Sequence, residues 1–370
     1  MTKMLNNRAT SGVQGLVPYA PGKPIDELAR EYGLTNIVKL ASNENPLGPS
    51  PKLSVVLHEE MAHLTRYPDG AGHRLKTALA DKLGVEFSQI TLGNGSNDVL
   101  ELIARTFASA GDEIIYSQYG FAVYPLVTQA IGAKPVVAAA QAWGHDVTAI
   151  IASISAKTKL IFIANPNNPT GTYLPFNSIV NFLENVPSDV IVIIDEAYHE
   201  YVEQVADYGS MLDCLAKYPN LIVTRTFSKA YGLAGLRVGF SVSHPEIAEL
   251  VNRVRQPFNV NALALAGAEA VLSDPGYVAR AVAINQQGLD YLSGEMQRLE
   301  LAVIPPVANF ITIDLSQPAL PIYEQLLRKG VIVRPVANYG MPNHLRVSIG
   351  LPEENQVFVR ALEQVLSELR

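Results

Sequence analysis

The chain has 370 residues, 48% of them apolar and 17% charged, which is ample material for a large buried core. Its 28 basic and 35 acidic residues leave a net charge of −7, with no electrostatic footprint for nucleic acid or an anionic membrane. A single cysteine, Cys214, excludes an internal disulfide framework, and the 7 histidines form no HExxH pair, which argues against a metal site. The opening residues hold no apolar run of signal-peptide length, and no stretch reaches the roughly 18 uncharged apolar residues of a membrane span. A cytoplasmic protein of about two domains is therefore expected.

In chain order, a proline-rich segment up to residue 45 reads as an arm packing on the C-terminal unit. Residues 46–270 read as a large α/β domain. Strands are predicted at Gln89–Leu92, Glu113–Tyr116, Lys134–Val137, Lys159–Ala164, Val190–Ile194 and Leu221–Thr226, with helical patterns such as Asp98–Ala110 between them. Val190–Ile194 is apolar on both faces, as in a mainly parallel sheet covered by helices on each side. Residues 271–370 read as a smaller α+β domain, with strands at Asn309–Leu315, Val331–Arg334 and Leu345–Ile349 and an amphipathic helix over Gln356–Leu369.

Ligands of α/β sheets sit at the carboxyl ends of the strands, so the loops that follow them are where chemistry is sought. After the first strand comes Gly93-Asn94-Gly95-Ser96-Asn97-Asp98, opening a helix. Its glycines and helix amino end suit an anion, but Asp98 stands where a dinucleotide fingerprint needs glycine. A plain turn capped by Ser96 or Asn97 is the alternative. After Ala164 comes Asn165-Pro166-Asn167-Asn168-Pro169-Thr170-Gly171, more asparagine and proline than a turn requires, suggesting an amide aimed at a ligand.

Asp195 closes the apolar strand ahead of Glu196-Ala197-Tyr198, and a carboxylate there is costly unless it meets a cation. A magnesium-binding role would need a GxxxxGK[ST] loop, which the chain lacks. After Thr226 comes Phe227-Ser228-Lys229, then Arg237 eight residues beyond the lysine. A lysine among small apolar neighbours loses hydration, which lowers its pKa and makes its amine a nucleophile.

Together these groups complement one molecule, pyridoxal 5′-phosphate. Gly95, Ser96 and Arg237 suit its phosphate, Asp195 its pyridine nitrogen, Tyr198 and Asn168 its ring oxygen, and Lys229 its aldehyde. Tyr119, just past a predicted strand, is placed to stack on the ring, with core packing as the alternative.

The signatures NPNNPTG, IIDEAY and TFSKAYGLAGLRVG, in that order, resemble those of fold-type I pyridoxal-phosphate enzymes of the class I/II aminotransferase group. VPYAPGKP, KLASNENPLGP, RYPD and HLRVSIG narrow the resemblance to the histidinol-phosphate aminotransferase family over nearly the whole chain. That resemblance implies Lys229 as the catalytic, cofactor-holding lysine. It also implies cofactor contacts from Gly95, Ser96, Tyr119, Asn168, Asp195, Tyr198, Ser228 and Arg237, with Tyr67 reaching the neighbouring subunit's cofactor in a homodimer. Tyr19, Asn97, Arg334 and Arg346 match positions that hold the substrate's anionic end.

The expected reaction is transfer of an amino group between histidinol phosphate and 2-oxoglutarate, with imidazole-acetol phosphate and glutamate as the other pair, in histidine biosynthesis. The rivals are a broad-specificity aromatic aminotransferase, which Ala337–Asn343 resembles by subgroup, and, more distantly, a threonine-phosphate decarboxylase.

Overall fold

The structure, a computed structural model, describes residues 5–19 and 22–369. Seven strands form the central sheet: β1 (Ile90–Gly93), β2 (Glu113–Ser117), β3 (Lys134–Ala138), β4 (Thr158–Ala164), β5 (Ile191–Asp195), β6 (Leu221–Thr226) and β7 (Gly239–Ser243). Their spatial order is β1-β7-β6-β5-β4-β2-β3, and all pairs are parallel except those made by β7. The inner strands are buried on both faces. Ile161 and Ile163 of β4 join one apolar cluster while Leu160 and Phe162 join the cluster on the other side, the double burial that helices on both faces impose.

The strand β7 escapes the sequence reading. Gly-Phe-Ser-Val-Ser carries only two apolar residues among glycine and serines, a composition that reads as a loop, yet all five are buried between β1 and β6. Gly239 is obligatory at its start, because a Cβ there would lie 2.4 Å from the Ser96 amide nitrogen.

A 24-residue helix, Pro275–Arg298, leads into the C-terminal sheet of β8 (Ala302–Ile304), β9 (Phe310–Asp314), β11 (Arg334–Pro335) and β12 (His344–Ser348), ordered β8-β9-β12-β11 and antiparallel throughout. The run expected as one strand over Val331–Arg334 divides. Val331–Ile332, here β10, pairs in parallel with Val38–Lys39, and the chain then changes partner so that Arg334–Pro335 lies along β12. Pro335, lacking an N–H, is tolerated because β11 is an edge. The last helix begins at Pro352, four residues before the expected start, with proline in the first turn and the Glu354 carboxylate accepting from the Leu351 amide at 2.7 Å.

The N-terminal segment serves both units. Leu28 and Ala41 pack with Leu327 and Ile332 of the C-terminal unit. The short helix Ser11–Gln14 instead lies against Val123–Ala130, a helix of the large sheet.

Candidate active site

The carboxyl ends of β4, β5 and β6 open into one cavity of about 170 Å³. Its lining includes Ala164, Asp195 and Thr226 from the strand ends, Ser96 and Asn97 from the helix Ser96–Phe107, Asn168 and Tyr198 from the loops, and Ser228, Lys229 and Arg237.

Asp195 is the last residue of β5, with Thr224 of β6 its register neighbour. Thr224 Oγ1 donates to Oδ1 at 3.0 Å, and the fully buried Tyr124 donates its hydroxyl to Oδ2 at 3.2 Å. Burial nonetheless prevails over these bonds and pushes the carboxyl up to about 6. A carboxylate held so far from water calls for a cationic partner in the cavity.

Lys229 Nζ donates to the Ser42 carbonyl at 3.1 Å. Burial, reinforced by the Arg346 and Arg237 charges and opposed by Glu44 and Asp195, holds the amine down at about 7. A solvated surface lysine would show neither feature.

In the Pro/Asn loop each asparagine has its own task. Asn165 exchanges hydrogen bonds with the Leu174 backbone, and Asn167 donates to the Tyr119 carbonyl and to Thr170 Oγ1. Asn168 alone of the three lines the cavity, donating from Nδ2 to Tyr198 Oη at 3.1 Å.

The helix at Ser96 starts without a side-chain cap. Gly95 occupies the N-cap position with φ of 84°, so neither Ser96 nor Asn97 caps the turn as the alternative reading required, and both face the cavity from the first turn. Asp98 braces the loop by accepting from the Asn94 amide and from Asn259 Nδ2, each at 2.8 Å. Arg237, itself left-handed at φ of 58°, donates to Ser228 Oγ and the Ala234 carbonyl, both at 3.1 Å. A Cβ on Gly95 would sit 2.5 Å from Arg237 Nη2, so glycine is what lets the guanidinium approach the helix amino end.

Arg346 on β12 is 6% exposed. Nη2 donates to the Ala41 carbonyl at 2.9 Å and Nη1 to Asn168 Oδ1, while the buried Nε has no partner among the described residues. Arg334 stands opposite Arg346 in register, its guanidinium 5.4 Å from the Tyr19 ring. Both Arg334 and Tyr19 line a second cleft of about 530 Å³ rather than the cavity around Lys229. Tyr339 also lines that cleft, and burial raises its phenol against the opposing charges of Arg346 and Arg334.

Two residues expected to touch a cofactor, Tyr119 on this chain's own and Tyr67 on a neighbouring subunit's, do not line this chain's cavity. The Tyr119 ring centroid lies 5.2 Å from that of Trp143, and Phe121 lines the cavity together with Tyr198. Tyr67 is 83% exposed and stacks on Phe258 at 4.7 Å, away from this chain's own cavity. Asn43, Tyr124 and Thr224 were not legible as site residues. Tyr124 belongs to an apolar helix stripe, and the left-handed backbone of Asn43 leaves no mark in composition.

The chain belongs to the aminotransferase class I and II family, whose sequence model matches residues 35–362. Histidinol-phosphate aminotransferase 2 of Pseudomonas fluorescens (strain Pf0-1) is 56% identical over 361 residues, 97% of each chain. Histidinol-phosphate aminotransferase 1 of Mannheimia succiniciproducens is 57% identical over 97% of this chain and 98% of the relative. Among solved structures, histidinol-phosphate aminotransferase from Sinorhizobium meliloti, in complex with pyridoxal 5′-phosphate, superposes with a TM-score of 0.91 at 28% identity over 98% of both chains. The architecture is that of fold-type I pyridoxal-phosphate enzymes.

The cavity fits that cofactor on its own chemistry. An uncapped helix amino end beside Arg237 and Ser228 suits a phosphate, and the elevated Asp195 carboxyl suits a pyridinium. Tyr198 and Asn168 suit a phenolate oxygen, and a depressed amine at Lys229 suits an aldehyde.

Proposed function

We propose that this chain transfers the amino group of L-histidinol phosphate to 2-oxoglutarate, giving imidazole-acetol phosphate and L-glutamate, as a cytoplasmic pyridoxal-phosphate enzyme of histidine biosynthesis. The observation that carries the reading is the coincidence of full-length identity of 53–57% to curated relatives of that name with a buried, depressed amine at Lys229.

Bound pyridoxal phosphate supplies an electron-poor ring that accepts the electron pair released at the substrate carbon. The chain's own groups do the rest. Lys229 Nζ, near pKa 7, would take the proton from that carbon and deliver it to the cofactor carbon that holds the nitrogen, the demand placed on a general acid–base at neutral pH. Asp195 keeps a proton on the ring nitrogen by pairing with it in a buried setting. Ser96, Ser228, Arg237 and the helix end at Gly95 hold the cofactor phosphate, while Tyr198 and Asn168 hold the ring oxygen.

Arg346, whose buried Nε has no partner among the described residues, and Arg334, with Tyr19 and Asn97, receive the substrate's anionic end. One pocket has to take a phosphate ester from histidinol phosphate and a carboxylate from glutamate, and the planar guanidinium fork pairs with either oxyanion. The exposed Tyr67 supports a homodimer in which it reaches the partner's cofactor phosphate. Residues 1–45, 46–270 and 271–370 are taken as arm, cofactor domain and small domain, and the Val38–Lys39 pairing with β10 supports the docking of the arm on the small domain.

The test is glutamate formation by the purified holoenzyme from histidinol phosphate and 2-oxoglutarate, beside phenylalanine, tyrosine and phosphothreonine. The reading expects kcat/KM for histidinol phosphate to exceed the aromatic values by at least about tenfold. An aromatic amino acid as the better substrate, or carbon dioxide released from phosphothreonine, would replace it.

A further inference from the structure

Tyr198 Oη is the meeting point of a hydrogen-bond chain that runs toward it from two amides. Arg346 can only donate, so the Asn168 atom it meets is Oδ1, and Asn168 must present its Nδ2 to Tyr198. On the other side, Ser348 Oγ accepts from the Asn43 backbone amide at 2.7 Å. Its own proton goes to Asn43 Oδ1 at 3.0 Å, with the Asn43 amide oriented oxygen toward the serine. Asn43 is thus also left with Nδ2 toward Tyr198, at 2.9 Å.

The phenol oxygen accepts from two amides, which occupies its lone pairs and leaves one proton free. Tyr198 lines the cavity, and that is where the proton can go.

We infer that Asn43 is a positioning residue that makes Tyr198 an obligate donor into the cavity, aimed at an anionic oxygen of the bound cofactor. The inference rests on the cofactor reading above and adds a residue from the N-terminal segment to it. Asn43 is 1% exposed and sits at φ of 53°, a conformation asparagine tolerates better than most residues. Its carbonyl is held by Asn309 Nδ2 at 3.0 Å, so backbone and side chain are both pinned to the C-terminal unit. Ser348 lies two residues from Arg346 on β12, so the strand that carries the anion-binding arginine also sets the direction of the tyrosine proton.

The experiment is a pH titration of the visible absorption of the holoenzyme, which reports protonation of the chromophore held at Lys229. A donor to an anionic oxygen stabilises the deprotonated chromophore, so losing the donor raises the midpoint. Asn43→Asp keeps the backbone conformation but replaces a donor with an acceptor, which turns the Tyr198 proton away from the cavity. Its midpoint is expected to rise by about one pH unit. Asn43→Gly also tolerates the positive φ, releases the proton without capturing it, and is expected to give a smaller rise.

The charges facing Lys229 and Tyr198 (Arg346, Arg237, Glu44 and Asp195, with Tyr339 and Tyr124 nearby) are the same in both variants. The extra carboxylate that Asn43→Asp introduces is controlled by repeating both changes in a Tyr198→Phe background, where the shifts should vanish. Shifts that persist undiminished there, or no shift in either single variant, would overturn the inference. A wild-type protein that forms no chromophore with pyridoxal phosphate would instead sink the cofactor reading itself.

Discussion

The guanidinium of Arg346, on a strand of the C-terminal sheet, donates to the amide oxygen of Asn168, on a loop at the carboxyl edge of the central sheet. The anion-binding end of the site and the groups around the cofactor oxygen are therefore joined by a single charge-assisted bond.

Arg346→Ala removes the anion partner for both half-reactions, so KM for histidinol phosphate and for 2-oxoglutarate should rise together, by roughly tenfold or more. Arg346→Lys should recover little, because a point charge cannot hold Asn168, Ala41 and an oxyanion at once. Steady-state kinetics on both substrates decides it. A loss confined to one substrate would mean that the pocket is not shared.

The two buried titratable groups carry a stability cost that substitution should expose. Lys229, at about 7 in the folded chain against about 10.4 when unfolded, binds fewer protons folded than unfolded between those values. The stability of the cofactor-free protein should therefore rise with pH across roughly 7 to 10, and the full penalty stands below 7. Lys229→Met should raise the Tm of that form at pH 7 by a few degrees, with the gain closing toward pH 10. Scanning calorimetry at several pH values tests this, and a Tm gap independent of pH would contradict it.

Asp195 has the opposite sign. Its carboxyl is raised from about 3.9 to about 6, so the folded chain binds more protons between those values and stability falls as pH rises through them. Asp195→Asn should stabilise the cofactor-free protein above pH 6 and not below about 4. It should also lower kcat by about a hundredfold or more, because an amide does not hold a proton on the ring nitrogen. Denaturation midpoints and turnover measured on the same preparation check both halves.

Gly95 offers a steric test of the phosphate cradle. Alanine there is strained at φ of 84° and would drive its Cβ against Arg237 Nη2. Gly95→Ala should weaken pyridoxal-phosphate binding by roughly tenfold or more, read by titration of the cofactor-free enzyme. Unchanged affinity would remove Arg237 and the helix end from the cradle.

The homodimer reading predicts complementation. Tyr67→Ala and Lys229→Ala each damage a different half of the shared site, so a mixed dimer contains one site with both residues intact. Refolding the two inactive variants together should restore about a quarter of wild-type activity. Mixtures no more active than the separate variants would place Tyr67 outside the partner's site.

Much of this site could be read before its geometry was known, and the reason is local. Asp195 and Asn168 follow apolar strands and Lys229 a strand that opens Leu-Ile-Val, so their chemistry is out of place for their position and stands out in the sequence. Most strands were legible for the same reason, being buried on both faces. What escaped depends on long-range packing. The strand β7 is short and half polar, and Asn43 acquires its role from Ser348, 305 residues away. Tyr119 and Phe121 are both aromatics just past β2, and only the folded chain shows Phe121 on the cavity and Tyr119 beside Trp143.

The most direct test of the central claim is reductive trapping. The holoenzyme is treated with borohydride, digested with trypsin, and the peptide carrying the reduced pyridoxyl group is sequenced. A modified Lys229 resists cleavage, so the account predicts the label on the peptide Thr226–Arg237, at its fourth residue. A label on any other lysine, or a protein that binds pyridoxal phosphate without forming a reducible bond, would contradict it.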